Sequence, residues 1–246
     1  MNKTKKRIDR ALVERGLAES SEKALAMIMA GNVLVDNEPA MKAGMPVSDT
    51  AEIRLRHEPS RYVSRGGLKL EGALQSFGLD VRGMVCLDIG SSTGGFTHCL
   101  LLNEAGRVYA LDVDIKQLDW RIRNDPKVRP VELNARFLEP QHIGEPVDLA
   151  TMDASFISLT MLLPRVPALL KHGGYCLALV KPQFEVERGQ VGKGGIVRDA
   201  ELQQGAIEKI ARCGIEAGFE FMGSQESPVP GREGNREFFV LFRKNQ

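Results

Sequence analysis

The chain has 246 residues, 43% of them hydrophobic, with a formal net charge of +1, so it can bury a sizeable core as one large domain or as a large and a small one. No apolar run approaches the roughly 18 residues that span a membrane, and no signal-type apolar core follows the basic start Met1-Asn2-Lys3-Thr4-Lys5-Lys6-Arg7; a cytoplasmic protein with no membrane partner is expected. Cys86, Cys99, Cys176 and Cys213 are scattered without metal-ligand spacing, as are the four histidines, so reduced core thiols and no metal are expected.

The charge is unevenly spread. Residues 1–70 hold 13 Lys and Arg against 9 Asp and Glu, whereas residues 71–246 hold 20 against 23. A basic module beside a neutral one is how a nucleic-acid-directed enzyme divides its labour, although chance scatter explains the charge equally well. Ile8, Leu12 and Val13, with Leu17 beyond, recur at helical spacing, and Gly16 stops that helix. Ser20 or Ser21 caps a second helix carrying Ala24, Leu25, Ile28 and Met29, closed by Gly31. Val33-Leu34-Val35 reads as a strand, Asp36-Asn37-Glu38-Pro39 as a turn, and Ala51 to Leu55 as another strand. Residues 1–60 therefore form a small α+β unit, with a linker from His57 to Tyr62 broken by Pro59. This segment resembles the RNA-binding module of the small ribosomal protein S4. The matching residues are Arg7 to Val13, Ala24, Ile28, Gly31 to Asp36 and Val47. The resemblance implies that Lys5, Lys6, Arg7, Arg10 and Lys23 face RNA.

Residues 61–246 alternate strands and helices, which predicts a mostly parallel, doubly wound α/β sheet of seven strands. Val63 to Leu70 leads into a helix through Leu74 and Phe77. Strands are expected at 84–89, 107–112, 130–134, 148–153, 175–181, 219–225 and 237–243, with Trp120 on a helix after the second and a long helix over 200–217. The Pro/Gly turn at 228–234 suits a hairpin, so the last strand is expected to run antiparallel.

The organising stretch is Val85 to Phe96. A short apolar run turns through Gly90, Gly94 and Gly95 into a helix, which presents backbone N–H groups at the carboxyl edge of an open sheet. About twenty residues on, Asp112 ends the second strand, where a ribose hydroxyl pair would be held. A dinucleotide would fit that spacing almost as well. The distinguishing detail is Asp88, before the first glycine: an acid there would repel a pyrophosphate but suits an ammonium or a sulfonium. S-adenosylmethionine carries both and is the expected cofactor.

Polar residues at the ends of buried strands are costly unless used. Asp153 and Lys181 end the fourth and fifth strands, Lys69 precedes the first, and Glu237 opens the last. A lysine crowded by a second cation can accept a proton from a poor nucleophile such as a ribose 2′-hydroxyl, with the acids holding the lysines in place. A structural salt-bridge cluster is the alternative.

The chain as a whole resembles the hemolysin-A (TlyA) family, whose catalytic domain is similar to the FtsJ-type ribose 2′-O-methyltransferases. The matching stretches are Ser64 to Leu70, Asp88 to Phe96, Asp153 to Leu159, Lys181 to Glu185, Gly194 to Asp199 and Gly234 to Glu237. The resemblance implies a class I (Rossmann-like) methyltransferase fold acting on cytidine in rRNA, with Lys69, Asp153, Lys181 and Glu237 as the methyl-transfer site. It implies cofactor contacts from Gly90, Ser92, Gly94 and Gly95, with Asp112 on the cofactor ribose and Asn134 near the adenine. Arg65 joins the RNA contacts, and a ribosomal RNA or subunit is the implied partner. Some members carry a C-terminal extension beyond the equivalent of Gln246, which leaves open whether both ribosomal subunits or the large one only are substrates. The competing readings are an NAD-dependent oxidoreductase, a membrane-active hemolysin and a non-catalytic ribosome-binding factor; the target nucleotide and oligomeric state are not legible.

Overall fold

A computed structural model describes residues 5–56, 61–231 and 233–245, in two compact units spanning residues 1–60 and 61–246. The expected linker at His57, Glu58, Pro59 and Ser60 lies outside the described residues.

The first unit comprises β1 (Lys5–Arg7), α1 (Ile8–Glu14), α2 (Ser21–Met29), β2 (Val33–Val35), β3 (Glu38–Pro39), β4 (Pro46–Ser48) and β5 (Ile53–Leu55). Ser20 caps α2 by accepting the Lys23 N–H at 3.2 Å. The expected four-residue turn is tighter than the sequence suggests. Asp36 and Asn37 both take positive φ (49° and 71°), the conformation of a two-residue hairpin, and Glu38–Pro39 pairs back onto β2. Lys5–Arg7 forms a strand against β4. Ile8, Leu12, Ala24, Ile28, Val33 and Val47 close a separate small core.

The second unit contains α3 (Gly66–Phe77), β6 (Val85–Ile89), α4 (Gly95–Leu102), β7 (Arg107–Asp112), α5 (Trp120–Arg123), β8 (Val128–Glu132), β9 (Val147–Met152), β10 (Leu170–Val180), α6 (Pro182–Glu185), α7 (Ala200–Glu216), β11 (Phe219–Glu226) and β12 (Phe238–Lys244). The sheet order is β11-β12-β10-β9-β6-β7-β8. β6 to β10 are mutually parallel and β12 runs antiparallel to both neighbours, as expected. The third strand sits two residues earlier than expected, at 128–132, which leaves Asn134 in the following turn. Between β8 and β9, and again between β9 and β10, the connections are short 3-10 turns, which the sequence reading did not place.

Side chains alternate across the sheet. In β10, Cys176, Ala178 and Val180 join one apolar layer with Ala206, Ile207 and Ile210 of α7, while Leu177 and Leu179 join the other with Leu70 of α3 and Phe96 of α4. The order reverses between β6 and β9: the chain winds outward through β7 and β8, then restarts on the far side of β6. A ligand crevice is expected outside the carboxyl ends at such a switch point.

Candidate active site

A cleft of about 1120 Å³ opens at those carboxyl ends. The turn after β6 forms one wall. Gly90 and Ser91 donate their N–H groups to the Leu111 carbonyl at 2.8 and 3.0 Å, tying the turn to β7. Ser92 adopts a positive φ of 48° and donates its N–H to Asp112 Oδ2 at 2.8 Å. Asp112 thus shapes the turn as well as lining the cleft.

The glycines are needed for close approach of backbone to backbone. A Cβ on Gly90, where φ is +86°, would lie 2.8 Å from the Asp153 carbonyl, and one on Gly95 would lie 2.2 Å from Ser64 Oγ and 3.0 Å from the Gly67 nitrogen. Gly94 differs from expectation. Its added Cβ would meet Leu118 and Ile122 rather than the cleft, and Gly94 is not among the lining residues, so it serves the turn and its packing.

Asp88 is the main correction. Strand alternation turns it towards α4, where it is fully buried and accepts the hydroxyls of Thr97 at 2.7 Å and Thr151 at 3.1 Å. It does not line the cleft, so its charge does not face a bound ligand; it supports the turn from beneath. Burial pushes its carboxyl up to about 7, from an ordinary 3.8. Between those values the folded protein binds the proton more tightly than the unfolded chain, so Asp88 removes stability as pH rises through that window. Relative to the native protein, Asp88→Asn is therefore expected to gain on the order of a few kcal/mol between pH 5 and pH 8. Urea unfolding at both pH values measures it; a stability difference independent of pH would refute it.

The lysines and acids line the same cleft, next to the turn. Lys181, immediately after β10, lies with Nζ 2.6 Å from Asp153 Oδ1, at the end of β9. Lys69 of α3 reaches Glu237, at the start of β12, with Nζ to Oε2 at 2.5 Å. The four residues thus line one cleft as two ion pairs, each lysine against its own carboxylate. The expected crowding of one cation by the other is not what these contacts describe. Glu237 and Lys181 are buried, and Gly231 leaves the Glu237 carboxylate its space, since a Cβ there would fall 2.4 Å from Oε1.

Asn134 lines the cleft, its Oδ1 accepting the Arg136 N–H at 3.0 Å. Arg65 is exposed at the rim, and Lys5, Lys6, Arg7, Arg10 and Lys23 are exposed on the first unit. Three of these carry acidic partners: Lys6 with Glu14, Arg7 with Asp9 and Lys23 with Glu19. The sequence reading assigned no role to Ser155, Phe156, Gln183, Phe184 and Asn235, which also line the cleft, although the stretches holding them stood out. Phe156 is 90% exposed, takes a positive φ of 63° and packs on Phe184 at 5.3 Å between ring centroids. Among the described residues, no group of three or more His, Cys, Asp and Glu could hold a metal, and no helix is long and apolar enough to cross a membrane.

Residues 62–244 match the FtsJ-like methyltransferase family, and residues 6–53 match the S4 domain. The chain belongs to the FtsJ-like methyltransferase family. It is 46% identical over 239 residues to the 16S/23S rRNA (cytidine-2'-O)-methyltransferase TlyA of Mycobacterium tuberculosis, covering 96% of this chain and 89% of that protein. A solved structure from Streptococcus thermophilus, assigned by name to the hemolysins, superposes with a TM-score of 0.77 at 42% identity, covering 99% of this chain and 90% of that one. The N-methyltransferase NodS of Bradyrhizobium japonicum in complex with S-adenosyl-L-homocysteine shares the fold at 15% identity, with a TM-score of 0.52 over 74% of this methyltransferase and 86% of that chain. The oxidoreductase alternative finds no support.

Proposed function

We propose that this methyltransferase uses S-adenosylmethionine to methylate the ribose 2′-hydroxyl of a cytidine in ribosomal RNA. The carrying observation is the single cleft lined by both the Gly90–Gly95 turn and two largely buried lysine–carboxylate pairs. Similarity to the M. tuberculosis rRNA (cytidine-2'-O)-methyltransferase supports the substrate.

The residues present fit the cofactor. Ser91 Oγ, beside the turn, and Gln183 Oε1 are buried polar atoms in the cleft wall with no hydrogen-bond partner among the described residues, and the cleft is roomy enough for a nucleoside and a second nucleotide. Gly90, Ser92 and Gly95 would hold it through the turn, Asp112 through the ribose and Asn134 beside the base, with Asp88 and Gly94 shaping the turn from behind. When bound, it supplies a methyl group on a sulfonium, whose transfer leaves a neutral thioether. Lys181 would meet the 2′-hydroxyl and, after giving up its own ammonium proton to solvent, take the hydroxyl proton as the new O–C bond forms, with Asp153 offsetting the charge this restores on the amine. Lys69, held by Glu237, would fix the line of approach. The exposed Phe156 and its neighbour Phe184 suit an unstacked base at the mouth, and Arg65, Lys5, Lys6, Arg7, Arg10 and Lys23 suit RNA phosphates. An ion pair at the surface is worth little and is readily exchanged for a phosphate contact.

The test is incubation with methyl-labelled S-adenosylmethionine and ribosomal subunits, followed by nuclease digestion and mass spectrometry. Label on a cytidine ribose is expected. Label on a base, or none on RNA, would overturn the proposal.

A further inference from the structure

We infer that Ser155 is a positioning residue for Lys181, acting by accepting the hydrogen bond that aims the amine; this rests on the function proposed above. Lys181 Nζ donates to Ser155 Oγ at 2.7 Å. Its contact with Asp153 has the distance of an ion pair but not hydrogen-bond geometry: Asp153 Oδ1 is a buried acceptor with no hydrogen-bond donor among the described residues. Asp153 therefore supplies charge, which falls off smoothly with direction, whereas Ser155 supplies the angle, to which a hydrogen bond is sensitive.

The rest of the loop is built to hold that serine still. Glu185, at the end of the short helix that begins after Lys181, is buried and accepts from Ser158 Oγ at 2.6 Å, from the Leu159 N–H at 2.8 Å and from Lys209 Nζ at 3.0 Å. The loop after β9 and the turn after β10 are thus joined twice, by Ser155 with Lys181 and by Ser158 with Glu185. Phe156, between those two joints, holds a left-handed backbone conformation that a non-glycine residue keeps only where its surroundings over-determine it. Ser155 itself is exposed on the cleft wall, so removing its hydroxyl leaves no cavity in the core.

The experiment compares the native protein with Ser155→Ala, Ser155→Thr, Lys181→Ala and the Ser155→Ala/Lys181→Ala double variant. It measures single-turnover methylation of ribosomal subunits from pH 6 to 9, S-adenosylmethionine affinity by calorimetry, and thermal unfolding. Ser155→Ala should slow turnover at least about tenfold, the size of a lost charged hydrogen bond, with a displaced pH–rate profile and unchanged cofactor affinity and unfolding temperature. Threonine, which keeps the hydroxyl, should restore most of the rate. In the Lys181→Ala background the serine change should have no further effect, because its action passes through that amine. Ser155→Ala within twofold of native at every pH, no rescue by threonine, or an additive loss in the double variant would each overturn the inference. A native protein that leaves ribose unmethylated would overturn the functional reading and this inference with it.

Discussion

Lys181→Ala is expected to abolish methyl transfer, by about 10²–10⁴-fold, while the protein stays folded and keeps its affinity for S-adenosylmethionine. Lys181 is 8% exposed, sits immediately beyond a buried strand, and its amine contacts Asp153 and Ser155, so its position is set before any substrate arrives. Its proposed work lies in the transition state, when the hydroxyl proton leaves, so the loss should fall on the rate of the chemical step rather than on binding. Truncation also strips Asp153 of its counter-charge, but that side chain keeps 23% exposure to water, so only a modest loss of stability is expected. Lys181→Arg should not restore turnover, because guanidinium keeps the charge but cannot take a proton near neutral pH, and its planar fork does not reproduce the ammonium's contacts. Single-turnover rates on ribosomal subunits, with calorimetry for the cofactor, measure both variants. An arginine enzyme at near-native rate would show that charge and positioning suffice and that the proton leaves to water.

Removing residues 1–60 is expected to abolish methylation of ribosomal subunits while leaving S-adenosylmethionine binding nearly intact. The apolar cores are separate: Ile8 to Ile53 form one, and the layers either side of the large sheet draw on residues from Tyr62 onwards. Each unit therefore buries its own apolar surface, the condition for folding alone. The cleft-lining residues all lie between Ser64 and Glu237, so the truncated protein retains every group proposed to hold the cofactor. What it loses is a set of exposed cations. Phosphate contacts release counterions, so each one lost should lower the slope of log affinity against log salt by about 0.9 on duplex regions and about 0.7 on single strands. Filter binding to ribosomal RNA between 50 and 300 mM salt, for the full chain and the truncated protein, reads this directly. Full methylation activity in the truncated protein, or an RNA affinity of the full chain insensitive to salt, would refute the division of labour.

The strand–turn–helix around Gly90 was legible because apolar runs bounded by glycine have few alternative structures, and the final antiparallel strand was legible from its Pro/Gly turn. Strand ends were less so. The third strand begins at Val128 because backbone pairing with β7 already includes Val128 and Arg129 and ends at Glu132. The tight hairpin at Asp36-Asn37 was read two residues too long, since its signal is a pair of positive φ values that composition only hints at. Asp88 was read as facing the ligand because its place beside the glycines is visible in the sequence; the face it occupies depends on strand alternation relative to α4.

By itself the sequence determined the order of strands and helices and the placing of polar residues at strand ends. Both follow from local periodicity and from the cost of leaving a charge inside a buried strand. Only the tertiary structure decided which lysine meets which acid. Lys69 and Glu237 are 168 residues apart and meet where α3 approaches the start of β12, while Lys181 and Asp153 meet because β10 lies beside β9. Long-range strand order also placed Ser155 under the Lys181 amine and brought Glu185 to Ser158. Those contacts depend on the strand order reversing between β6 and β9, a property of the whole sheet that no local stretch of residues encodes.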